Sequence, residues 1–144
     1  AAFALEQLKK LKKNISIREK NFKFLFKFFS KYSQYFKLPE TFKDVRTPWL
    51  AFPLVIKKNK KFNRMQFQIF LEKNYIQTRT IFTGNILRQP IMKSLIYKKH
   101  RDSEIIADDV MENGILIGCH HGLVKNDLNS ITKVFLKFAK EKRL

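Results

Sequence analysis

Apolar positions over residues 1–36 recur at helical spacing. Leu5, Leu8, Leu11 and Ile15 fall three or four apart, and Phe22, Leu25, Phe26, Phe29, Tyr32 and Phe36 continue the stripe. The pattern predicts one long helix, or two abutting ones, across 1–36. Phe24 and Phe28 widen the apolar face. A face that wide serves either a thick core or a second neighbour, such as another domain or subunit. Pro39 restricts the residue before it, so the helical run is expected to stop by Leu38.

Beyond a loop over 40–48 the period changes. AFPLVIK at 51–57 is short, apolar and β-branched, and predicts a strand. Pro53 has no N–H to donate, which argues for an edge position or a bulge. Asn59-Lys60-Lys61 reads as a turn, and Asn63 as the cap of a helix over about 64–74, with Met65, Phe67, Ile69 and Phe70 as its apolar contacts. YIQTRTIF at 75–82 alternates and predicts a second strand. Gly84-Asn85 marks a turn in a polar segment that runs to Pro90, and residues 91–101 carry no clear pattern.

A short helix is expected from Ser103 to about Glu112, capped by Asp102 or Ser103. GILIGC at 114–119 predicts a buried strand and His120-His121-Gly122 a tight turn. A final helix should run to about Lys140 from a cap at Asn126 or Asp127, with Leu128, Ile131, Val134, Phe135 and Phe138 inward. The order is helix, strand, helix, strand, short helix, strand, helix. It predicts a small α/β sandwich over 47–144, with helices on a three-stranded sheet, behind the long helix of 1–36.

Composition agrees with one globular domain. The chain has 144 residues, 44% of them hydrophobic, and only four Gly and four Pro, which excludes disordered and collagen-like classes. No apolar run reaches the ~20 residues of a membrane span. The longest candidate, Phe22–Phe29, is interrupted by Lys23 and Lys27. The start, AAFALEQLKK, is already amphipathic helix with no signal-peptide pattern and no initiator Met, so an upstream segment is expected to be missing. Cys119 is the only cysteine, which excludes an internal disulfide framework and a four-cysteine metal site. It favours a reducing compartment, hence a cytoplasmic protein, and suits a small buried residue at a strand end.

Charge has two readings. Thirty Lys+Arg stand against twelve Asp+Glu, for a net +18. A surplus of that size suits nucleic acid or an anionic membrane. The lysines are nevertheless spread along the whole chain, in KKLKK, KKNKK, KKH and KEKR, and accompany abundant Asn, Ile and Phe. AT-rich codons produce that pattern without any polyanionic partner, and neither nucleic acid nor membrane is expected as one.

The chain has no Gly-rich phosphate loop, no G-x-S-x-G and no metal-ligand spacing. Adjacent His120 and His121 point opposite ways on an extended segment and are poor joint metal ligands; one of them could line a cleft, or both could be turn residues. The sole tryptophan, Trp49, reads as a core or interface residue before a ligand stacker. QTRTIFTGNILRQP, Gln77–Pro90, is different. Arg79 and Arg88 flank Thr80, Thr83 and Asn85, with Gln89 just beyond. Guanidinium forks suit phosphate oxygens, Asn and Thr suit sugar hydroxyls, and Gly84 permits a close backbone approach to a ligand. The alternative is a surface loop with solvated arginines.

AAFALEQLKKL with REKN at Arg18–Asn21 resembles the helix that follows the active-site segment in the DegT/DnrJ/EryC1/StrS aminotransferase family. TPWLAFPLVI at 47–56, YIQTRTIFTGNILRQP at 75–90 and ILIGCHHGL at 115–123 are similar to the NDP-4-keto-6-deoxyhexose 3-dehydratases of that family, with their TR-x-x-F-x-GN-x-x-RQP signature. The resemblance implies the C-terminal small domain of a fold-type I enzyme that uses pyridoxal 5′-phosphate (PLP). A large domain absent from this chain would bind most of the cofactor and carry the catalytic residue, a Schiff-base Lys in aminotransferases or a His in 3-dehydratases. No catalytic residue and no metal ligand is assigned here. The implied partners are a nucleotide sugar, the missing domain and a second subunit of a homodimer. The implied reaction removes the C3 hydroxyl of the sugar, for dideoxysugars of lipopolysaccharide; sugar transamination is the alternative. By resemblance, Arg79, Asn85 and Arg88 would sit at the cleft, with Phe82 and His120 lining it. Val124 stands where the family pattern suggests a polar helix cap, which implies a shifted helix start.

Overall fold

The structure is a computed structural model that describes residues 2–82, 84–98 and 103–144, with Ser103 and Glu104 described as backbone only. Helix α1 spans Ala2–Phe29 and is followed by a 3₁₀ turn at Ser30–Tyr32. Strands β1 (Phe36–Lys37) and β2 (Ala51–Ile56) come next, then α2 (Arg64–Lys73) and β3 (Thr78–Thr80). Two 3₁₀ turns, Ile86–Arg88 and Pro90–Ser94, lead toward α3 (Ser103–Asn113), β4 (Gly114–Gly118) and α4 (Lys125–Lys142).

Among the described residues the strands form one sheet in the order β1-β2-β4-β3, every pair antiparallel. The expected sheet of three strands is therefore four. The extra strand comes from the end of the expected helix. Phe36 pairs with Ile56 and points into the core instead of extending α1. The strand expected over 75–82 shrinks to Thr78–Thr80, because Tyr75 and Phe82 both adopt left-handed backbone, at φ 63° and 47°.

Pro53 lies in β2, an interior strand, with no bulge in its register to β4. Its tolerance is local. The Cys119 N–H donates to the Leu50 carbonyl at 3.1 Å, so in alternation Phe52 and Leu54 carry the ladder bonds to β4 and Pro53 faces the other way. On that other side β1 reaches only Val55 and Ile56, so no partner awaits the missing N–H.

Side chains alternate across the sheet. Phe52, Leu54, Ile56, Ile115 and Ile117 are buried on one face. Helices α1, α2 and α4 cover that face through Phe22, Leu25, Phe29, Phe67, Leu71, Ile131, Phe135 and Phe138. Phe135 is the hub: its ring lies 4.6–5.9 Å from the rings of Tyr32, Phe29, Phe28, Phe36 and Phe67. Such pairs add about 0.5–1.5 kcal/mol each beyond burial. On the other face, Ile106 and Val110 of α3 share a hollow with Pro53 and Val55.

Helix starts follow side-chain chemistry. The Asn63 Oδ1 accepts from the Gln66 N–H and the Gln66 Oε1 accepts from the Asn63 N–H, a complete capping box that confirms the expected cap of α2. Helix α4 starts earlier than expected. Its cap is Val124, and Asp127, three residues in, reaches back to accept the Val124 N–H at 2.8 Å. The valine side chain has no oxygen to accept a first-turn N–H; the Asp127 carboxylate instead gives that turn a favourable negative charge. Of the caps proposed for α3, Asp102 lies outside the described residues.

The first three turns of α1 do not join this core. Residues 2–13 are exposed throughout, including Phe3, Leu5, Leu8 and Leu11. Among the described residues no helix is long and apolar enough to cross a membrane.

Candidate functional site

A hollow of about 600 Å3 opens at the start of β3, between the end of β4 and the first turns of α4. That is the size of a small-ligand site. Arg79 and His120 line it together, with Asn74, Tyr75, Gln77 and Ser130 supplying further polar groups and Leu116, Ile131 and Val134 an apolar floor.

Arg79 reaches it because β3 alternates. Thr78 points into the core and Arg79 away from it. Thr78 is fixed by Glu72, whose Oε1 accepts both the Thr78 N–H at 3.1 Å and the Thr78 hydroxyl at 2.5 Å. Those bonds hold the Glu72 carboxyl below its ordinary range. The Arg79 guanidinium donates to the Thr78 carbonyl at 3.3 Å and, with the amide oxygen of Gln77 turned toward it, to Gln77 at 2.7 Å. Both acceptors are neutral. No carboxylate hydrogen-bonds Arg79 among the described residues; Glu72 acts on it only through space, as the Arg79 charge, after the Thr78 bonds, helps hold the Glu72 carboxyl low.

His120 is carried by the turn after β4, and that turn is pinned from α1. Asn21, 5% exposed, donates from Nδ2 to the carbonyls of His120 at 2.9 Å and Leu123 at 3.4 Å. Arg18 donates to the His121 Nδ1 from Nε at 3.3 Å and lies 3.2 Å from it through Nη2. The His120 Nδ1 accepts the Gly122 N–H at 3.2 Å, which leaves Nε2 as the N–H donor of the neutral ring. His121 thus faces α1 and His120 the hollow, as opposed neighbours should. Cys119 is buried beneath them, and burial pushes its thiol up to about 12, so it is no nucleophile.

The remaining expected site residues lie elsewhere. Arg88 forms a fork on Asp108 of α3, with Nε to Oδ1 at 2.9 Å and Nη2 on Oδ2. Asn85, 3% exposed, donates to the same Oδ1 at 2.9 Å and caps the next turn by accepting the Leu87 N–H at 2.9 Å. The Arg88 bonds first, then Asn85, draw the Asp108 carboxyl down to about 2. Gly84, expected to admit a ligand, instead admits α3: a Cβ there would lie 2.2 Å from the Met111 side chain. Phe82 is 88% exposed and outside the hollow. Gln77–Pro90 therefore divides into an end that lines the hollow, Gln77 and Arg79, and an end that clamps α3.

Asp108, Gln77 and Asn21 are not among the individual site residues expected from the sequence. Asp108 gives no local signal, since its partners stand twenty or more residues away. Arg18 and Asn21 do carry one: both lie in REKN, whose Glu19 also forks onto Arg46, with one arm at 3.1 Å. Among the described residues no cluster of His, Cys, Asp and Glu could hold a metal.

Fold and hollow together define an α/β domain, a four-stranded antiparallel sheet backed by three helices, with a cationic, hydrogen-bonding recess at one end. The chain belongs to the DegT/DnrJ/EryC1/StrS aminotransferase family, which it matches over residues 1–135. It is 28% identical over 138 residues to the lipopolysaccharide biosynthesis protein RfbH of Salmonella typhimurium, covering 96% of this chain and 31% of that protein. Among solved structures it resembles an E. coli GDP-4-keto-6-deoxy-D-mannose-3-dehydratase with bound hydrated PLP, with TM-score 0.80 and 28% identity over 90% of this chain and 33% of the other. A mutant GDP-4-keto-6-deoxymannose-3-dehydratase with bound GDP-perosamine gives TM-score 0.76 at 28% identity, again covering 90% and 33%. The chain spans about a third of the length of these relatives.

Proposed function

We propose that this chain is the C-terminal small domain of a PLP-dependent enzyme of nucleotide-sugar metabolism, and that its hollow forms one wall of the substrate site. The observation that carries this is the contrast between two arginines. Arg88 is forked onto a carboxylate, whereas Arg79 donates only to neutral acceptors, with Glu72 acting on it through space, and lines a recess together with His120. A diphosphate is the kind of anion that a guanidinium and an imidazole N–H suit.

The proposed activity is removal of the C3 hydroxyl from an NDP-4-keto-6-deoxyhexose, in dideoxysugar and lipopolysaccharide biosynthesis. It is supported by the named 3-dehydratases and RfbH among the relatives. The lining of the hollow holds no lysine, and its one carboxylate, Asp127, is occupied by the Val124 N–H. These residues do not make a PLP site by themselves, and the cofactor would be held mainly by a large domain outside this chain. Exposed Phe3, Leu5, Leu8 and Leu11 on α1 are the apolar surface such a domain, or a second subunit of a homodimer, would cover. A cytoplasmic setting fits the single buried free thiol.

Transamination of the same class of sugar is the second reading, favoured by the family's own description. Mass spectrometry of the sugar product from the full-length protein decides. Loss of the C3 oxygen supports dehydration, gain of an amine at C4 supports transamination, and no reaction with any nucleotide-linked 4-keto sugar contradicts both.

A further inference from the structure

Tyr75 occupies a position that the backbone reserves for glycine. Helix α2 ends in a Schellman motif: the Tyr75 N–H donates to the Glu72 carbonyl and the Ile76 N–H to the Leu71 carbonyl, both at 3.0 Å, beyond the cap at Asn74. Leu71 and Ile76, both buried, flank the motif. The residue after the cap must be left-handed, and Tyr75 has φ 63°. Glycine adopts this conformation without strain and tyrosine does not. Nothing inside the fold accounts for the choice. The side chain is 99% exposed and its hydroxyl bonds to nothing among the described residues. The residue does stand on the rim of the hollow that Arg79 and His120 line.

We propose that Tyr75 is a ligand-contacting residue whose ring stacks on the planar base of a nucleoside diphosphate while Arg79 holds the phosphates. The proposal rests on the reading of the hollow as a nucleotide-sugar site. It accounts for a strained, exposed aromatic at this spot: the backbone cost is accepted because the left-handed turn sets the residue on the rim of the recess. An exposed ring with a free face is what base stacking uses, at a strength that tolerates different bases.

The test is equilibrium binding of GDP, CDP and pyrophosphate to the full-length protein, in wild type and in the Tyr75→Gly, Tyr75→Phe and Arg79→Ala variants. Tyr75→Gly is expected to raise the melting temperature by about 2 °C, since strain is released, and yet to weaken GDP and CDP about tenfold. It should leave pyrophosphate unchanged, and Tyr75→Phe should keep nucleotide affinity. Arg79→Ala should weaken all three ligands. Nucleotide affinity within twofold of wild type in Tyr75→Gly, or an equal loss for pyrophosphate, overturns the stacking role while Arg79→Ala still reports on the site. If Arg79→Ala also binds all three ligands normally, the site reading itself fails.

Discussion

The Nδ2 of Asn21, in the C-terminal half of α1, lies 2.9 Å from the carbonyl oxygen of His120, ninety-nine residues later in the chain. One nearly buried amide thus ties the longest helix to the turn that presents an imidazole to the hollow. Asn21→Leu takes the side-chain donor from the Leu123 carbonyl and leaves the His120 carbonyl only the Leu123 N–H at 3.2 Å; it should cost about 1–2 kcal/mol, read as a lower denaturation midpoint in urea. Arg18→Met breaks a longer, exposed contact on the neighbouring His121 and should change the stability by less than about 0.5 kcal/mol.

The Asp108 fork makes stability depend on acid. Its folded-state pKa, about 2, lies below the ordinary 3.8. The group therefore stabilises the fold fully above about pH 4, and this is lost as pH falls toward 2. Asp108→Asn should melt below wild type at pH 6, and the difference should vanish near pH 2. A constant difference across that range would mean that the carboxylate charge is not what holds Asn85 and Arg88.

Gly84 combines φ 71° with a Cβ position that overlaps Met111, including its Cα at 2.7 Å. Backbone cannot move aside as a side-chain tip can. Gly84→Ala should destabilise by ~3 kcal/mol through left-handed strain and overpacking. Chemical denaturation measures it, and Met111→Ala in the same chain should not restore the loss, since the clash with the helix backbone at residue 111 remains.

Phe135→Ala removes the ring at the centre of the aromatic cluster and should cost about 4 kcal/mol. Thermal unfolding checks this against Phe24→Ala, a partly exposed ring whose loss should be small.

Much of this fold is legible in the chain because periodicity reports burial directly. The helices at 64–73 and 125–142 and the strands at 51–56 and 114–118 follow their apolar spacing. Phe36 misleads because it keeps the helical stripe in register while it turns into a strand; one residue cannot show a change of period. Tyr75 and Phe82 break the expected second strand through left-handed backbone, which neither residue type signals. Arg79 and Arg88 look equivalent in sequence, and only the distant Asp108 separates the clamp from the arginine that no carboxylate hydrogen-bonds.

That separation is the central claim, and kinetics on the full-length protein test it most directly. For the NDP-4-keto-6-deoxyhexose proposed as substrate, Arg79→Ala should raise KM at least about tenfold, the loss of one charged hydrogen-bonding group, with an unchanged melting temperature. Arg88→Ala should lower the melting temperature. An Arg79→Ala enzyme with wild-type KM and kcat would contradict the account.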